Sequence, residues 1–370
     1  MKIAAIGDLH IGCTDYTDKR TSDFSNKFME ALDISFKKNV DCILLLGDIF
    51  DSSAYRRSID SFATCLHDIA YGLVKSKEKG IPIICIMGNH EFGRGREGGE
   101  LRILSDLGFV HLLKDTMIEI KEQKFCGISW KNDIIQFKHS LKNLEKYAKD
   151  SFLLVHQFIS GASFVPKQIY EVDQSILKNW KKVFVGHHHI HEYFNNLCIP
   201  GSLEIHNVLE LSRGHKKGFV IYDVDKNTEE FIELTSSRPI KYTELIVDGK
   251  TTKDVQHSLN EWVSGNAEQH ALLIIKLKGK LSHGRSSEIN FRESRILGVQ
   301  KGCVSVSFIN NIEDPIRSAP EIRASVNIEE FLKSWFKKDS KKAISYFNEL
   351  KESGDDFIPK LRDKIVGMIK

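Results

Sequence analysis

Eight side chains in five short motifs carry the chemistry of this chain: GDLH (Asp8 and His10), GDIFD (Asp48), GNHE (Asn89 and His90), VHQ (His156) and GHHH (His187 and His189). Mixed imidazole, carboxylate and amide ligands favour manganese, iron or zinc over magnesium, which prefers an all-oxygen shell. Two divalent ions about 3.5–4 Å apart need a bridging carboxylate to offset their repulsion, and they can share a hydrolytic water. Asp48, in the central acidic motif, is the natural bridge. Asp8, His10 and one histidine of GHHH would complete one ion; Asn89, His156 and the other histidine would complete the second. His90 sits next to a ligand without being needed as one, which leaves it free to face a scissile phosphate. As an imidazolium it would stabilise developing charge and protonate the leaving oxygen. The expected activity is that of a metal-dependent phosphoesterase.

Each motif has a plainer reading when taken alone. An Asp-x-His after a strand is commonly a turn or a cap. Asp51 or Ser52 of the GDIFD segment could simply cap the following helix, and His156 alone would read as a satisfied core histidine. GNHE is rare by chance, and the five motifs in order outweigh the separate plain readings.

Every motif directly follows a short apolar run. Ile3 to Ile6, Cys42 to Leu46 and Ile83 to Met87 read as buried strands, and helical spacing separates them: Phe24, Phe28, Ala31 and Leu32, then a helix from about Ser58 to Lys77. That β-α-β-α-β order predicts parallel pairing under helices. Further strands are expected at Thr116 to Ile120, Phe125 to Ile128, Phe152 to Val155 and Val183 to Val185, with Glu192 to Ile199 and Gly218 to Tyr222 closing a second sheet. SSRP at Ser236 to Pro239 marks a boundary. Beyond it, Tyr242 to Val247, a helix at Val255 to Trp262 and Leu272 to Leu277 form a small α+β unit ending near Pro320. Apolar stripes from Asn327 to Lys370 read as a helical tail.

Composition sets looser bounds. With 370 residues, 41% apolar and 28% charged, the chain can bury a full core and hold two domains plus an appendage. The net charge of +3 neither demands nor excludes nucleic acid, so a DNA surface would have to come from local clustering. Seven scattered cysteines without a CxxC pair argue against disulfides or a zinc ribbon. No apolar stretch approaches a membrane span, and MKIAAIGDLH runs straight into a motif without room for a signal peptide. A soluble, intracellular protein is expected, cytoplasmic and associated with the nucleoid, with no membrane partner.

The ordered motif set resembles the calcineurin-like metallophosphoesterase superfamily. That resemblance implies an α/β fold with a four-layer α-β-β-α core over residues 1–236, and the narrower resemblance given below adds a smaller α+β capping domain that binds DNA over 237–320 and a helical tail over 321–370. It implies Asp8, His10, Asp48 and His189 on one metal, and Asp48, Asn89, His156 and His187 on the other, with His90 as the catalytic histidine that is not a ligand. RTSDFSNKFMEALDISFKKNVDCILLLGDIFD, DLGFVHLL, LLVHQFI and CIPGSLEI are similar to a narrower group, the SbcD-type or meiotic-recombination nucleases of DNA double-strand-break repair. Membership there implies two manganese ions per subunit, 3′-to-5′ exonuclease and single-strand endonuclease activity, a two-fold dimer, and an ABC-type (SMC-like) ATPase as partner. The tail is the expected ATPase-docking element.

Two departures stand out. Cys13 and Thr14 replace a stretch where these nucleases commonly carry an aromatic residue, and Asp51 stands where several archaeal members have a histidine. The overlapping GHHH and HHIH also allow a His189/His191 pair, although Gly186 before His187 favours the first register. Arg94 and Arg96, among the glycines after GNHE, are candidate DNA contacts, with Arg56, Arg57 and Lys131 as weaker ones. The competing reading is a phosphomonoesterase or phosphoprotein phosphatase on the same core. GDIFDSSAY lacks the Arg-Gly pair that phosphoprotein phosphatases normally carry there.

Overall fold

A computed structural model of the chain describes residues 1–54, 59–92, 99–163 and 172–315, together with Lys341 and Ser345. Residues 1–314 form one compact unit and 315–370 a second. The four arginines considered above and nearly all of the tail lie outside the described residues.

Strand β1 (Lys2–Ile6) shows why the core takes four layers. Its side chains alternate, as a strand requires, and both faces are buried. Ala4 and Ile6 join a cluster with Phe28, Leu32, Ile69 and Leu73, whereas Ile3 and Ala5 join another with Phe125, Phe152, Leu154 and Phe184. The first cluster is the helix-facing side, formed with α1 (Thr21–Lys37), α2 (Ile59–Glu78) and α3 (Gly99–Asp106). The second lies between two sheets. A third cluster covers the outer face of the second sheet with α4 (Ile134–Leu144), where Phe137 and Leu141 pack on Val155 and Val183.

The first sheet runs β12-β11-β1-β2-β3-β4 and the second β5-β6-β7-β8-β10-β9. In the first, β2 (Cys42–Leu45), β3 (Ile83–Cys85) and β4 (His111–Leu112) are parallel to β1 and its neighbours in turn, as expected from the β-α-β order. In the second, β6 (Gln123–Ile128), β7 (Ser151–His156) and β8 (Lys182–Gly186) are parallel, while β5 (Thr116–Ile120) pairs antiparallel with β6 at one edge. At the other edge, β9 (Glu192–Phe194) and β10 (Leu197–Ile199) complete it.

One expectation fails. The segment 218–222 does not close the second sheet. It is part of β11 (Lys217–Asp223), which pairs antiparallel with β1, and β12 (Thr228–Leu234) extends the first sheet beyond it. The cause is two-sided burial. Phe219 and Ile221 face the helices while Val220 and Tyr222 face the other sheet, a pattern that either sheet could accept and that local periodicity cannot assign. On α2, Cys65 and Leu73 lie in the core and Tyr71 is exposed.

After SSRP the chain forms a β-α-β-α-β unit: β13 (Ile240–Ile246), α6 (Thr252–Asn266), β14 (Leu272–Lys280), α7 (Phe291–Gln300) and β15 (Ser305–Glu313). Its three strands are parallel in that order. A capping box, Thr251 with Asp254, starts α6, and Val255, Leu259 and Val263 pack onto Leu273 and Ile275. Arg238, at the start of this unit, is tied to Asp23 of α1 through Nε at 2.6 Å. No helix among the described residues is long and apolar enough to cross a membrane.

Candidate metal centre

The carboxyl ends of β1, β2, β3, β7 and β8 bring the five motifs together. Asp8 and His10 follow β1, Asp48 follows β2, Asn89 and His90 follow β3, His156 ends β7, and His187 and His189 follow β8. The backbone there is bent hard. Asp8, His10, Asp48 and His187 all have positive φ, between 47° and 81°, a region that side chains other than glycine rarely adopt and that marks functional sites. The glycines of the motifs let the loops touch. A Cβ on Gly88 would sit 2.1 Å from Asp48 Oδ1, and one on Gly186 would sit 2.1 Å from the Leu46 carbonyl oxygen.

The geometry resolves two sockets on either side of Asp48. In the first, His10 Nδ1 donates to Asp51 Oδ2 at 3.1 Å, and His189 Nδ1 donates to Glu210 Oε1 at 3.0 Å. With both Nδ1 atoms so engaged, the two Nε2 atoms face each other at 3.1 Å. Asp8 lies in the same group, and its buried Oδ2 has no hydrogen-bond partner. In the second, His156 Nδ1 donates to the Leu46 carbonyl oxygen at 2.6 Å. Its Nε2 therefore turns to Asp48 Oδ2 at 3.3 Å and Asn89 Oδ1 at 3.1 Å, while the buried Nε2 of neighbouring His187 also lacks a partner. Lone pairs converging at hydrogen-bond distance, as in the first socket, repel unless a cation sits among them, and in the second a proton or a metal ion must stand between His156 Nε2 and Asp48. Carboxylate or carbonyl partners on the remote ring nitrogen are the usual support of a ligating histidine. The donor set fits two divalent transition ions.

Electrostatics agree. Burial drives His10 down to about 3 and His187 to about 2, so both rings stay neutral and able to ligate. Burial pushes the Asp8 carboxyl up, partly offset by His156. For His156 burial works downward, yet the Asp48 carboxylate overcomes it and lifts the ring to about 9. A proton on His156 thus does the charge balancing that a metal ion would do.

A sequence profile of the calcineurin-like phosphoesterase family matches residues 1–218. The chain belongs to this family. It is accordingly a metal-dependent phosphoesterase. Among curated relatives, the DNA double-strand break repair protein Mre11 of Thermoplasma acidophilum is 27% identical over 303 residues, covering 74% of this chain and 76% of the relative. The protein of the same name from Archaeoglobus fulgidus is 22% identical over 339 residues, covering 80% and 74%. That from Sulfolobus acidocaldarius is 27% identical over 241 residues, covering 60% of each chain.

The remaining candidates among the described residues fall in and around this site as follows. His90 lies with Nε2 3.9 Å from Asp48 Oδ2 and keeps about a fifth of its side chain exposed. The Ser52 backbone N–H donates to its Nδ1 at 3.0 Å, which favours the tautomer with the proton on Nε2, the nitrogen nearer the sockets. An Nε2–H donor is therefore in place on the side of the ring nearer the sockets. His188 lies between the two ligands of its motif but turns away, accepting from the Ile159 N–H at 3.1 Å. His191 bonds the Ile199 carbonyl oxygen and stacks on Phe231, so the alternative His189/His191 register is not the one assembled. Lys131 is paired with Asp115 at 2.6 Å.

Glu91, Glu210 and His206 were missed. Glu91 accepts four backbone N–H groups from the Gly88 and Asp48 loops, a role its place in GNHE could have signalled. Glu210 is held by Lys217 at 2.7 Å, and nothing local marks it as the partner of His189. Asp51 does more than cap. Its Oδ1 accepts from Ser53 N at 2.7 Å, while Oδ2 serves His10. A cavity of about 370 Å³ opens onto Asp48, Asn89, His90, His187 and His189, and extends past Phe158 and Leu209.

Proposed function

We propose that this protein is a DNA nuclease of double-strand-break repair, hydrolysing phosphodiesters with two manganese ions per subunit. The observation that carries the two-ion reading is the pair of lone-pair sockets sharing Asp48. Asp8, His10, Asp48 and His189 would hold one ion, and Asp48, Asn89, His156 and His187 the other. When bound, the ions supply Lewis acidity at the scissile phosphate and lower the pKa of the attacking water. His90 acts from the rim, its Nε2–H donating to a phosphate oxygen as charge develops and then to the leaving oxygen. Asp51 and Glu210 keep the ligating rings in one tautomer. DNA as the substrate draws on the names of the relatives and on the flanking segments quoted above.

The finer reading follows the same resemblance. The protein works as a 3′-to-5′ exonuclease and single-strand endonuclease inside the cell, with the 237–320 unit capping the DNA and Arg94 and Arg96 gripping its backbone. Residues 321–370 dock an ABC-type ATPase. A two-fold dimer forms through α2, whose outward side carries Ala63, His67 and Tyr71; a monomeric mass at micromolar concentration would remove that element. The decisive experiment compares manganese-dependent cleavage of double- and single-stranded DNA with hydrolysis of a small aryl phosphate monoester. Efficient monoester hydrolysis with no DNA cleavage would replace the nuclease by a phosphomonoesterase.

A further inference from the structure

A second cluster of metal-ligating side chains adjoins the first socket beyond Asp51, where the His206 ring lies 4.5 Å from that of His10 and 5.0 Å from that of His189. Cys13, Asp15 and His206 present ligand atoms that all fall within 4.8 Å of one another. Cys13 is fully buried, yet its Sγ meets an imidazole nitrogen, His206 Nε2, at 3.7 Å. His206 Nδ1 lies 3.1 Å from Asp15 Oδ2, and its Nε2 lies 3.6 Å from Asp51 Oδ2. A buried thiol, an imidazole and two carboxylates therefore converge where an apolar cysteine would need none of them.

We propose that Cys13, Asp15 and His206 form a third metal site, selective for a borderline-soft divalent ion such as zinc. The separation fits. With Zn–S near 2.3 Å and Zn–N near 2.0–2.1 Å, tetrahedral ligands stand about 3.6 Å apart, close to the observed sulfur–nitrogen distance. The ligands come from two braced segments. The Cys13 N–H donates to the His10 carbonyl oxygen at 3.0 Å, Ser53 Oγ donates to that of Gly12 at 2.9 Å, and the His206 N–H donates to Glu210 Oε2 at 2.9 Å. The ring nitrogens of His206 both lie close to carboxylates, Nδ1 3.1 Å from Asp15 Oδ2 and Nε2 3.6 Å from Asp51 Oδ2. Asp15 is about half exposed, which gives the ion an entry path and a water in the fourth position.

The thiolate chooses the ion. Sulfur ligation favours zinc over manganese, whereas the sulfur-free sockets around Asp48 accept manganese. Binding forms the metal–sulfur bond and releases the thiol proton to solvent. The thiolate and the carboxylates of Asp15 and Asp51 together carry three negative charges, which offset the repulsion between this ion and the pair beside it. Asp51 Oδ2 also accepts from His10 Nδ1 at 3.1 Å, so occupancy at Cys13 acts on the orientation of a ligand in the first socket.

Cobalt titration of the full chain tests this directly. The ligands around Asp48 contain no sulfur, so a sulfur-to-cobalt charge-transfer band in the near ultraviolet can come only from a cysteine. The wild-type chain should take up one equivalent of cobalt beyond those of the two sockets and develop the band. Cys13→Ser should lose that band and that equivalent and keep the rest, while Cys303→Ser, remote from the cluster, should keep everything. Asp15→Asn, at a half-exposed position that folding tolerates, should weaken the extra equivalent about tenfold or more. No band in wild type, or a band of full intensity in Cys13→Ser, would overturn the site. Should Cys13→Ser fail to fold, a band unaltered in both Asp15→Asn and His206→Asn would overturn it equally.

Discussion

Glu91 Oε2 accepts the backbone N–H of Asp48 at 3.0 Å, so one buried carboxylate braces the residue that both sockets share. The same oxygen takes Gly88 N at 2.7 Å, and Oε1 takes Ile49 N and Phe50 N at 2.8 and 3.1 Å. Two motif loops are thereby locked to each other. Burial, reinforced by the Asp48 charge, lifts Glu91 to about 7 despite these bonds. Replacing Glu91 with Gln should turn one oxygen into a donor that opposes two backbone donors. A loss of about 2–4 kcal/mol in stability and weaker metal binding are expected. A urea midpoint equal to that of wild type would show that the brace is dispensable.

Metal affinity should depend on pH with a definite sign. His156 must be neutral to ligate, yet in the metal-free protein Asp48 holds its proton on up to about pH 9. Below that pH each binding event expels this proton. Apparent affinity should therefore rise by about tenfold per pH unit from about pH 7 and level off above about 9. Calorimetry in buffers of different ionisation enthalpy would count the proton released. A flat profile across this range would contradict the assignment of His156 as a ligand.

His90→Asn should separate chemistry from metal binding. The ring touches neither socket through the bonds that hold the ligands, so both ions should remain. Turnover should fall by about 10²–10⁴-fold, the usual contribution of a positioned proton donor. Near-normal cleavage by this variant would remove His90 from the mechanism, and loss of metal would recast it as structural.

Arg94→Ala with Arg96→Ala should weaken binding to DNA of any sequence. If each arginine neutralises one phosphate, the slope of log affinity against log salt should become shallower by about two. An unchanged slope would return that loop to a solvated role.

Deleting residues 327–370 should leave manganese-dependent cleavage of single strands intact while abolishing co-purification with the ATPase. Full-affinity capture of the ATPase by the truncated chain would move docking to the rest of the protein.

All eight motif side chains could be picked out from sequence because dense, rare combinations of Asp, His and Asn directly follow apolar runs. A strand end is the place where a loop residue can point into a shared edge. The parallel order of β1, β2 and β3 was equally legible, since helical spacing between apolar runs leaves few other ways to bury them. Three matters depended on the tertiary structure. β11 pairs with β1, a choice its burial on both faces leaves open at the level of sequence. Glu210 and His206 reach the site from a segment beyond the last motif, through hydrogen bonds that no local spacing encodes. Finally, the role of each histidine in GHHHIH follows from the partner of its remote nitrogen or from where its ring turns: Glu210 holds His189 in place, while the Ile159 N–H takes His188 and the Ile199 carbonyl oxygen takes His191 out of the site. Residue type and order specify which ligands are available; long-range contacts specify which lone pairs face one another.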